Sequence, residues 1–161
     1  MVKSKKQIDV PRIGEGARGE EGHLGYLLRQ ATHAHRQRLE HALADIGVTV
    51  PQFSVLTMLN AYPGISNADV ARLSLLTPQT VCVIVANLER AKAVARQPHA
   101  VHGRILQLGL TEAGRRLLRG CRERVAAVER ALLVGVSKSE EGVIRAWLVR
   151  AALEPEGGNA R

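Results

Sequence analysis

Aromatic side chains are almost absent from this chain of 161 residues. Only four occur, namely Tyr26, Phe53, Tyr62 and Trp147. Proteins that bind single-stranded nucleic acid or specific RNA loops usually stack the bases on several aromatic rings. The scarcity of aromatic residues therefore argues against both of those classes of protein.

Cysteines and long apolar runs are scarce as well. The two cysteines, Cys82 and Cys121, stand in no disulfide or metal-binding pattern, which suits a reducing cytoplasm. No apolar run approaches the roughly 18 residues of a membrane span, and the charged N-terminus lacks the apolar part of a secretion signal. We therefore expect a cytoplasmic protein with no membrane partner.

Acidic residues are in deficit relative to basic ones. The chain carries 15 Asp and Glu against 23 Lys and Arg, which gives a net charge of +8, and its pI is near 10.3. A polyanion such as nucleic acid fits that charge. Nucleophile elbows, phosphate-binding loops and spaced sets of metal ligands are missing from the sequence. We therefore expect neither an enzyme nor a metal or cofactor site.

What the sequence does contain is a pair of short amphipathic helices in residues 65–92. Ser66 is a good N-cap for the first helix, and the apolar residues that follow it recur at helical spacing. Thr77 is a second N-cap, and Pro78 stands at the first helical position, where its missing N–H has no cost. The pair predicts either a helix-turn-helix or an ordinary helical hairpin in an all-α core.

The second of these helices carries two stripes of different character. One stripe is apolar and suits a core. The other contains Gln79, Thr80, Val83 and Asn87, all uncharged. Gln and Asn can hydrogen-bond adenine, and a Val or Thr methyl group can contact the methyl group of thymine. This composition favours a helix that lies against base edges in a DNA groove.

Two short strand-like runs, residues 94–98 and 104–110, follow the helices, and a basic linker joins them. A β-hairpin in this position is typical of the wing in a winged helix-turn-helix, and the alternative is a solvated turn. We expect Arg104 to enter the minor groove, since narrow regions of that groove attract arginine. Arg96 and His102 lie in or beside the same hairpin.

The order of these elements resembles the MarR family of dimeric winged-helix regulators. The resemblance spans about residues 22–153, and its most specific part is the wing Arg followed by a strand and the run LTEAG at 110–114. His102 stands where the family usually has Asp, and Lys92 stands where it usually has Gly. Lys92 therefore predicts an altered end to the second helix, with about 1 kcal/mol of strain if its φ is positive.

The resemblance implies the fold class and the DNA contacts. The expected fold is mainly α with a small β-hairpin wing, in which a winged helix-turn-helix domain joins N- and C-terminal dimerisation helices. The expected DNA-binding residues are Ser66, Asn67, Thr77, Pro78, Gln79, Thr80, Val83, Asn87, Arg96, His102 and Arg104. A two-fold dimer would place its recognition helices about 34 to 36 Å apart, which requires an inverted-repeat operator in double-stranded DNA.

Composition and periodicity predict the division of the chain. The expected parts are a basic flexible arm (1–20), a single domain (21–153) and a tail (154–161). Within the domain, the winged helix-turn-helix covers about 49–110, and dimerisation helices cover about 22–46 and 111–153. These terminal helices have more apolar surface than a small winged domain needs, which implies a homodimer.

The first long helix has an unusually basic middle, THAHRQRLEH at residues 32–41. In the family this helix lines an effector pocket, so the expected effector-binding residues are His33, Arg36, Arg38 and Phe53. An arginine fork matches a carboxylate or a phosphate. The expected effector is a small anionic aromatic acid or an aromatic acyl-CoA thioester, and the basic run favours the thioester because CoA brings phosphates that a simple acid lacks. The alternatives are a solvated helix face for the cations and core packing for Phe53.

Together these features predict a homodimeric transcriptional repressor that an effector releases from DNA. Two alternatives stay open. One is a thiol-based oxidation sensor that acts through Cys82 or Cys121, although Cys82 has no adjacent cation that would lower its pKa. The other is a winged-helix module that binds protein and has lost DNA binding.

Overall fold

The computed structural model describes residues 10–98 and 106–153, which form six α-helices and a two-stranded antiparallel sheet. In chain order the elements are α1 (Leu24–Leu43), α2 (Val50–Ala61), α3 (Asn67–Leu73), α4 (Pro78–Arg90), β1 (Val94–Pro98), β2 (Leu106–Leu110), α5 (Glu112–Leu132) and α6 (Lys138–Ala152). The strands pair in the register Val94 to Leu110 and Arg96 to Leu108. The predicted fold class, mainly α with a small β-hairpin, is confirmed. No single one of these helices is long and apolar enough to cross a membrane, and two sharply bent helix pairs meet that test only jointly.

Side-chain caps set the starts of the helices where the sequence predicts them. The hydroxyl oxygens of Ser66 and Thr77 accept the backbone N–H three residues on, at 3.1 and 3.2 Å. A hydroxyl cap of this kind stabilises its helix by about 1 kcal/mol, because the N–H groups of a first turn have no partner within the helix. Ser137 caps α6 in the same way, and Glu140 accepts the Ser137 N–H to complete a capping box.

Both α3 and α4 end in a left-handed residue that is not glycine. Leu75 follows α3 with a φ of 55°, and Lys92 follows α4 with a φ of 57°. At each end the N–H of the next residue bonds to the carbonyl five residues earlier, at 2.9 Å, which is the Schellman arrangement. A side chain in this conformation costs about 1 kcal/mol relative to glycine. The positive φ predicted for Lys92 is therefore present, and Leu75 repeats it.

The core consists of two clusters that share two side chains. The larger cluster joins α2, α3, α4 and the sheet, and Leu118 of α5 belongs to it. The smaller cluster contains Leu43 at the end of α1 and Cys121 in α5. Phe53 and Leu117 pack against both clusters. The winged domain is therefore continuous with the flanking helices through these two residues.

An ion pair joins α5 to the turn after α1. Arg124 Nε lies 2.9 and 3.0 Å from the two carboxylate oxygens of Asp45, and Arg124 Nη2 lies 2.7 Å from Asp45 Oδ2. Hydrogen bonding to Arg124 holds the pKa of Asp45 below its usual value. Because both side chains are exposed, this pair orients the turn at Ala44–Ile46 more than it stabilises the fold.

Apolar side chains remain in solvent on the terminal helices. They are Leu24 and Leu28 on α1, Leu132 on α5, and Val143, Ile144, Leu148 and Val149 on α6. Part of this surface borders a groove of about 560 Å³ between the three helices. Contiguous exposed apolar surface is typical of an interface, and it matches the surplus apolar faces that the sequence predicts for these helices.

Residues 10–20 are the described part of the predicted arm, and they include a short 3₁₀ helix at Gly16–Arg18. Arg18 Nη1 donates to the Pro11 carbonyl at 3.0 Å, and Gln30 of α1 donates to the Arg18 carbonyl at 3.1 Å. Such a turn has no hydrophobic periodicity, so the spacing of apolar residues does not reveal it. The rest of the arm and the tail at 154–161 lie outside the described residues.

Gly114 is the point of closest approach between α5 and the winged domain. A Cβ atom added to Gly114 would overlap the carbonyl oxygen of Ala93. The same carbonyl accepts the Thr111 N–H at 3.0 Å, and the Thr111 hydroxyl donates to the Lys92 carbonyl at 2.7 Å. The first turn of α5 therefore rests directly on the junction between α4 and β1.

Gly114→Ala is expected to lower the free energy of unfolding by about 2 kcal/mol, because backbone atoms must move to admit the methyl group. Gly120→Ala in the same helix is the matched control, since a Cβ there has no neighbour closer than 4.0 Å. The control should raise the free energy of unfolding by about 0.5 to 1 kcal/mol, because alanine favours helix. Urea titrations of both variants measure the difference, and equal stabilities would contradict the close approach.

Candidate DNA-binding surface and effector cavity

The helices α3 and α4 meet at the angle of a helix-turn-helix. Their axes are bent by 109°, within the range of about 90 to 120° that the motif uses. The residues Val81, Ile84, Val85 and Leu88 of α4 are buried in the larger core cluster. Their burial fixes how α4 is rotated about its own axis, so the opposite side of the helix faces solvent.

The solvent side of α4, called here the α4 outer face, carries the stripe expected to meet bases. Its exposed or half-buried members are Gln79, Thr80, Cys82, Val83, Ala86 and Asn87. Cys82 and Ala86 were absent from the predicted DNA-binding residues, because small neutral side chains have no hydrogen-bonding pattern that marks them. Helical spacing could have found them, since each lies three or four residues from a predicted member. Over residues 78–86 the helix has no charged side chain.

The polar members of the α4 outer face are partly engaged within the helix. Thr80 Oγ1 lies 2.8 Å from Thr77 Oγ1, next to the capping bond from the Thr80 N–H. Arg90 donates to Asn87 Oδ1 at 3.1 Å. Pro78 occupies the first turn, as predicted. Thr80 and Asn87 therefore have less free hydrogen-bonding capacity than their residue types imply.

The start of α3 lies beside the middle of α4. Asn67 Nδ2 is 4.0 Å from the sulfur of Cys82, a weak hydrogen bond. Asn67 Oδ1 is buried and has no hydrogen-bond partner among the described residues. Ser66 is exposed and its hydroxyl donates to Asp69 Oδ2 at 2.8 Å. The structure thus brings Asn67, with Ser66 next to it in the chain, to the edge of the α4 outer face.

The wing is described only at its base. Arg96 on β1 is half exposed, and its Nε lies 3.2 Å from Glu89 Oε1 of α4. This ion pair connects the wing to α4 and engages one of the cations expected on DNA. The predicted wing residues His102 and Arg104 lie outside the described residues, between the two described ranges.

A cavity of about 560 Å³ lies where α1 ends and α2 begins. Its lining includes Arg36 and Glu40 from α1, Gly47 from the connecting turn and Pro51 from α2. Arg36 Nε donates to Glu40 Oε1 at 2.8 Å. The cavity thus holds one exposed cation, together with an acidic neighbour that already pairs with it.

The other predicted effector residues do not line this cavity. His33 and Arg38 are exposed on α1, and Phe53 packs between the two core clusters. Successive helical residues are rotated by about 100°, so Arg38 points roughly 140° or more away from both His33 and Arg36. One small ligand cannot contact all three basic side chains from this helix alone.

His35, which the sequence analysis did not select, borders the groove between α1, α5 and α6. Its Nε2 lies 3.7 Å from Glu129 Oε1 of α5, and its Nδ1 is buried without a partner among the described residues. The signal was in the spacing, since His35 follows Leu28 by seven residues and Ala31 by four, and so shares their side of the helix.

The two thiols have contrasting environments. Cys121 is buried in the smaller core cluster, and burial raises the pKa of its thiol, which disfavours the reactive thiolate. Cys82 is exposed on the α4 outer face. Oxidation sensing would therefore have to act through Cys82 alone.

In residues 10–98 and 106–153, no group of three or more His, Cys, Asp or Glu could hold a metal ion.

Two helices at this angle, followed by a two-stranded wing and flanked by long helices, define a winged helix-turn-helix protein. Residues 46–105 match the sequence model of the MarR family. A curated relative, the HTH-type transcriptional repressor Rv2887 of Mycobacterium tuberculosis, is 34% identical over 122 residues, which cover 76% of this chain and 88% of the relative. The chain belongs to the MarR family, and it is a DNA-binding transcriptional regulator.

Solved structures of related proteins have the same fold. Rv2887 in complex with salicylic acid has a TM-score of 0.67 at 32% identity, over 83% of this chain and 98% of that one. Rv2887 in complex with DNA has a TM-score of 0.66 at 30% identity, and the match covers 82% of this chain and 99% of that one. CouR from Rhodococcus jostii RHA1, bound to p-coumaroyl-CoA, has a TM-score of 0.73 at 26% identity, and the match covers 82% of this chain and 93% of that one.

The positions of the thiols predict different reactivities toward a maleimide. Exposed Cys82 should react in the native protein, whereas buried Cys121 should react only after unfolding. Mass spectrometry should therefore show one adduct per native chain and none for Cys82→Ser. Cys121→Ser is the matched control and should still show one adduct. Two adducts on the native chain would contradict the burial of Cys121.

Proposed function

We propose that this protein is a homodimeric transcriptional repressor that binds an inverted-repeat operator and is released from it by a small aromatic acid. The observation that carries the proposal is the α4 outer face, which is exposed and uncharged over residues 78–86 on a helix whose other side is buried. Uncharged side chains of this kind suit base edges in a major groove. The DNA complex of Rv2887, a relative at 30% identity, supports the same assignment.

The charge of the chain supports DNA as the partner, in preference to a protein. The net charge is +8, yet the α4 outer face holds almost none of it. Exposed cations next to that face include Arg72 on α3, Arg90 at the end of α4 and Arg96 on β1. We assign phosphate binding to such cations and base reading to the α4 outer face. We also assign Arg104 to the minor groove, as the sequence predicts.

Homodimer formation is assigned to the terminal helices. The exposed apolar side chains of α1 and α6 need a partner surface, and a second copy of the chain supplies a self-complementary one. In this proposal residues 49–110 bind DNA, and residues 22–46 and 111–153 dimerise. A two-fold axis between the winged domains would set the α4 helices about 34 to 36 Å apart, one turn of DNA.

The effector is assigned to the cavity at the α1–α2 junction, with Arg36 binding its carboxylate. The apolar side chains of Val48 and Val50 also line this cavity and suit an aromatic ring. Rv2887 binds salicylic acid and CouR binds p-coumaroyl-CoA. We favour a free acid, because Arg36 is the single cation that lines the cavity in the described residues. The phosphates of a CoA thioester would need more cations than that.

The position of the cavity supports a mechanism of release. α2 borders the cavity at its start and packs on α4 within the larger core cluster. A ligand beside Arg36 would press on the start of α2 and alter the direction of α4. Both half-sites must be held at once, so a change in the separation of the two α4 helices weakens binding.

Arg104→Ala is expected to weaken operator binding by about 1 to 3 kcal/mol, because a groove contact is lost. Lys138→Ala, which removes an exposed cation at the start of α6, is the matched control and should leave the affinity unchanged. Fluorescence anisotropy with a selected operator measures both variants. The same titration over a range of salt concentrations should give a steep log–log slope, whereas a flat slope would favour a module that binds protein.

Salicylate is expected to raise the melting temperature of the dimer, since a ligand at 100 times its Kd stabilises by about 2.7 kcal/mol. Arg36→Gln should abolish the shift, because it removes the charge that meets the carboxylate. Arg38→Gln, on another side of α1, should retain it. A response of the native protein to p-coumaroyl-CoA alone would replace the free acid by a thioester. A response that both variants keep would place the effector elsewhere.

A further inference from the structure

The α4 outer face exposes apolar surface that neither folding nor solubility requires. Val83, at the centre of this face, is 62% exposed. The exposed side chain of Ala86 lies beside it, three residues along the helix, and that of Cys82 lies beyond Ala86 on the same side. Valine is a weaker helix former than alanine or the long polar residues, because its branched side chain is restricted at χ1. The exposed Val83 side chain is therefore available to a partner, and helix propensity does not account for a valine at this position.

Two of the three polar side chains near Val83, Thr80 and Asn87, are partly engaged within the helix, and only Gln79 is free of such contacts in the described residues. The Thr80 hydroxyl shares a hydrogen bond with Thr77 at 2.8 Å, and Asn87 Oδ1 accepts from Arg90 at 3.1 Å. The residues of α4 before Glu89 carry no charge. The centre of the outer face is therefore a small apolar surface, called here the methyl patch, formed by Cys82, Val83 and Ala86.

The chemistry of the major groove limits what the methyl patch can contact. Base edges there present hydrogen-bond donors and acceptors, and thymine alone adds an apolar group, its C5 methyl. Opposite a donor or acceptor, the methyl patch would leave that polar group desolvated without a partner. Opposite a thymine methyl, both surfaces leave water, and each buried carbon lowers the free energy.

We propose that Val83, with Ala86 and Cys82 on one side of it, determines specificity by binding the C5 methyl group of a thymine in each half-site. The proposal rests on the DNA-binding function proposed above and names the base that is read. Gln79 lies four residues before Val83 and is its neighbour on the helix surface. Its side-chain amide is placed to bond the adenine of an adjacent base pair. The half-site should therefore be rich in A·T pairs.

The test uses the full chain and an operator selected from a random duplex library. Each thymine of the half-site is replaced in turn by uracil, which pairs identically and lacks only the methyl group. At the thymine that Val83 contacts, uracil in both half-sites should weaken binding by about fourfold or more. Val83→Ser should bind the thymine and uracil operators equally. Val10→Ser, which changes an exposed valine in the segment before α1, should keep the native ratio.

The outcomes distinguish a failure of thymine reading by Val83 from a failure of the proposed DNA-binding function. A uracil effect that Val83→Ser removes and Val10→Ser keeps would support thymine reading. Selective DNA binding that is indifferent to uracil at every position, or a uracil effect of equal size in Val83→Ser, would overturn it and leave the proposed function standing. Failure to select any sequence would instead overturn the proposed function, and thymine reading with it.

Discussion

The burial of one stripe of α4 is the constraint on which the rest of the molecule depends. Val81, Ile84, Val85 and Leu88 must leave water together, and they do so against α2, α3 and the sheet. Once that stripe is buried, the rotation of α4 is set, and the residues on its other side become a surface. The capping hydroxyl of Thr77 sets where this surface begins. What the protein reads then depends on side chains that contribute nothing to its core.

Two side chains connect the winged domain to the flanking helices. Phe53 and Leu117 pack against both core clusters, so a displacement of either cluster displaces side chains that also contact the other. Gly114 rests on the Ala93 carbonyl at the base of the wing. The Arg124–Asp45 pair orients the turn beside the α1–α2 cavity. Close-packed contacts of this kind transmit displacement, so a ligand at the cavity has a continuous path to α4.

Local rules predicted the fold, whereas the arrangement of the candidate site also depends on contacts between residues far apart in the chain. Hydroxyl caps and apolar spacing identify α2, α3, α4 and α6 because those signals act within a few residues. The 3₁₀ turn at Gly16–Arg18 escaped prediction because it is held by Arg18 and Gln30, which are far apart in sequence. The cations of α1 were grouped by their nearness in the chain, whereas the helix distributes them around its axis. Helical spacing places His35 on the apolar side of α1, but its partner Glu129 lies on α5, far away in the sequence, so the pair was not predicted.

The separation of charge from the α4 outer face explains how affinity and specificity can be tuned apart. Cations that meet phosphates strengthen binding to every sequence alike, and salt weakens that contribution. An uncharged outer face adds little to general affinity, so its contacts count mainly as differences between bases. Burying methyl groups depends little on salt, whereas phosphate contacts depend on it strongly. Raising the salt concentration should therefore lower operator affinity while the preference for thymine over uracil persists, because different side chains supply the two effects.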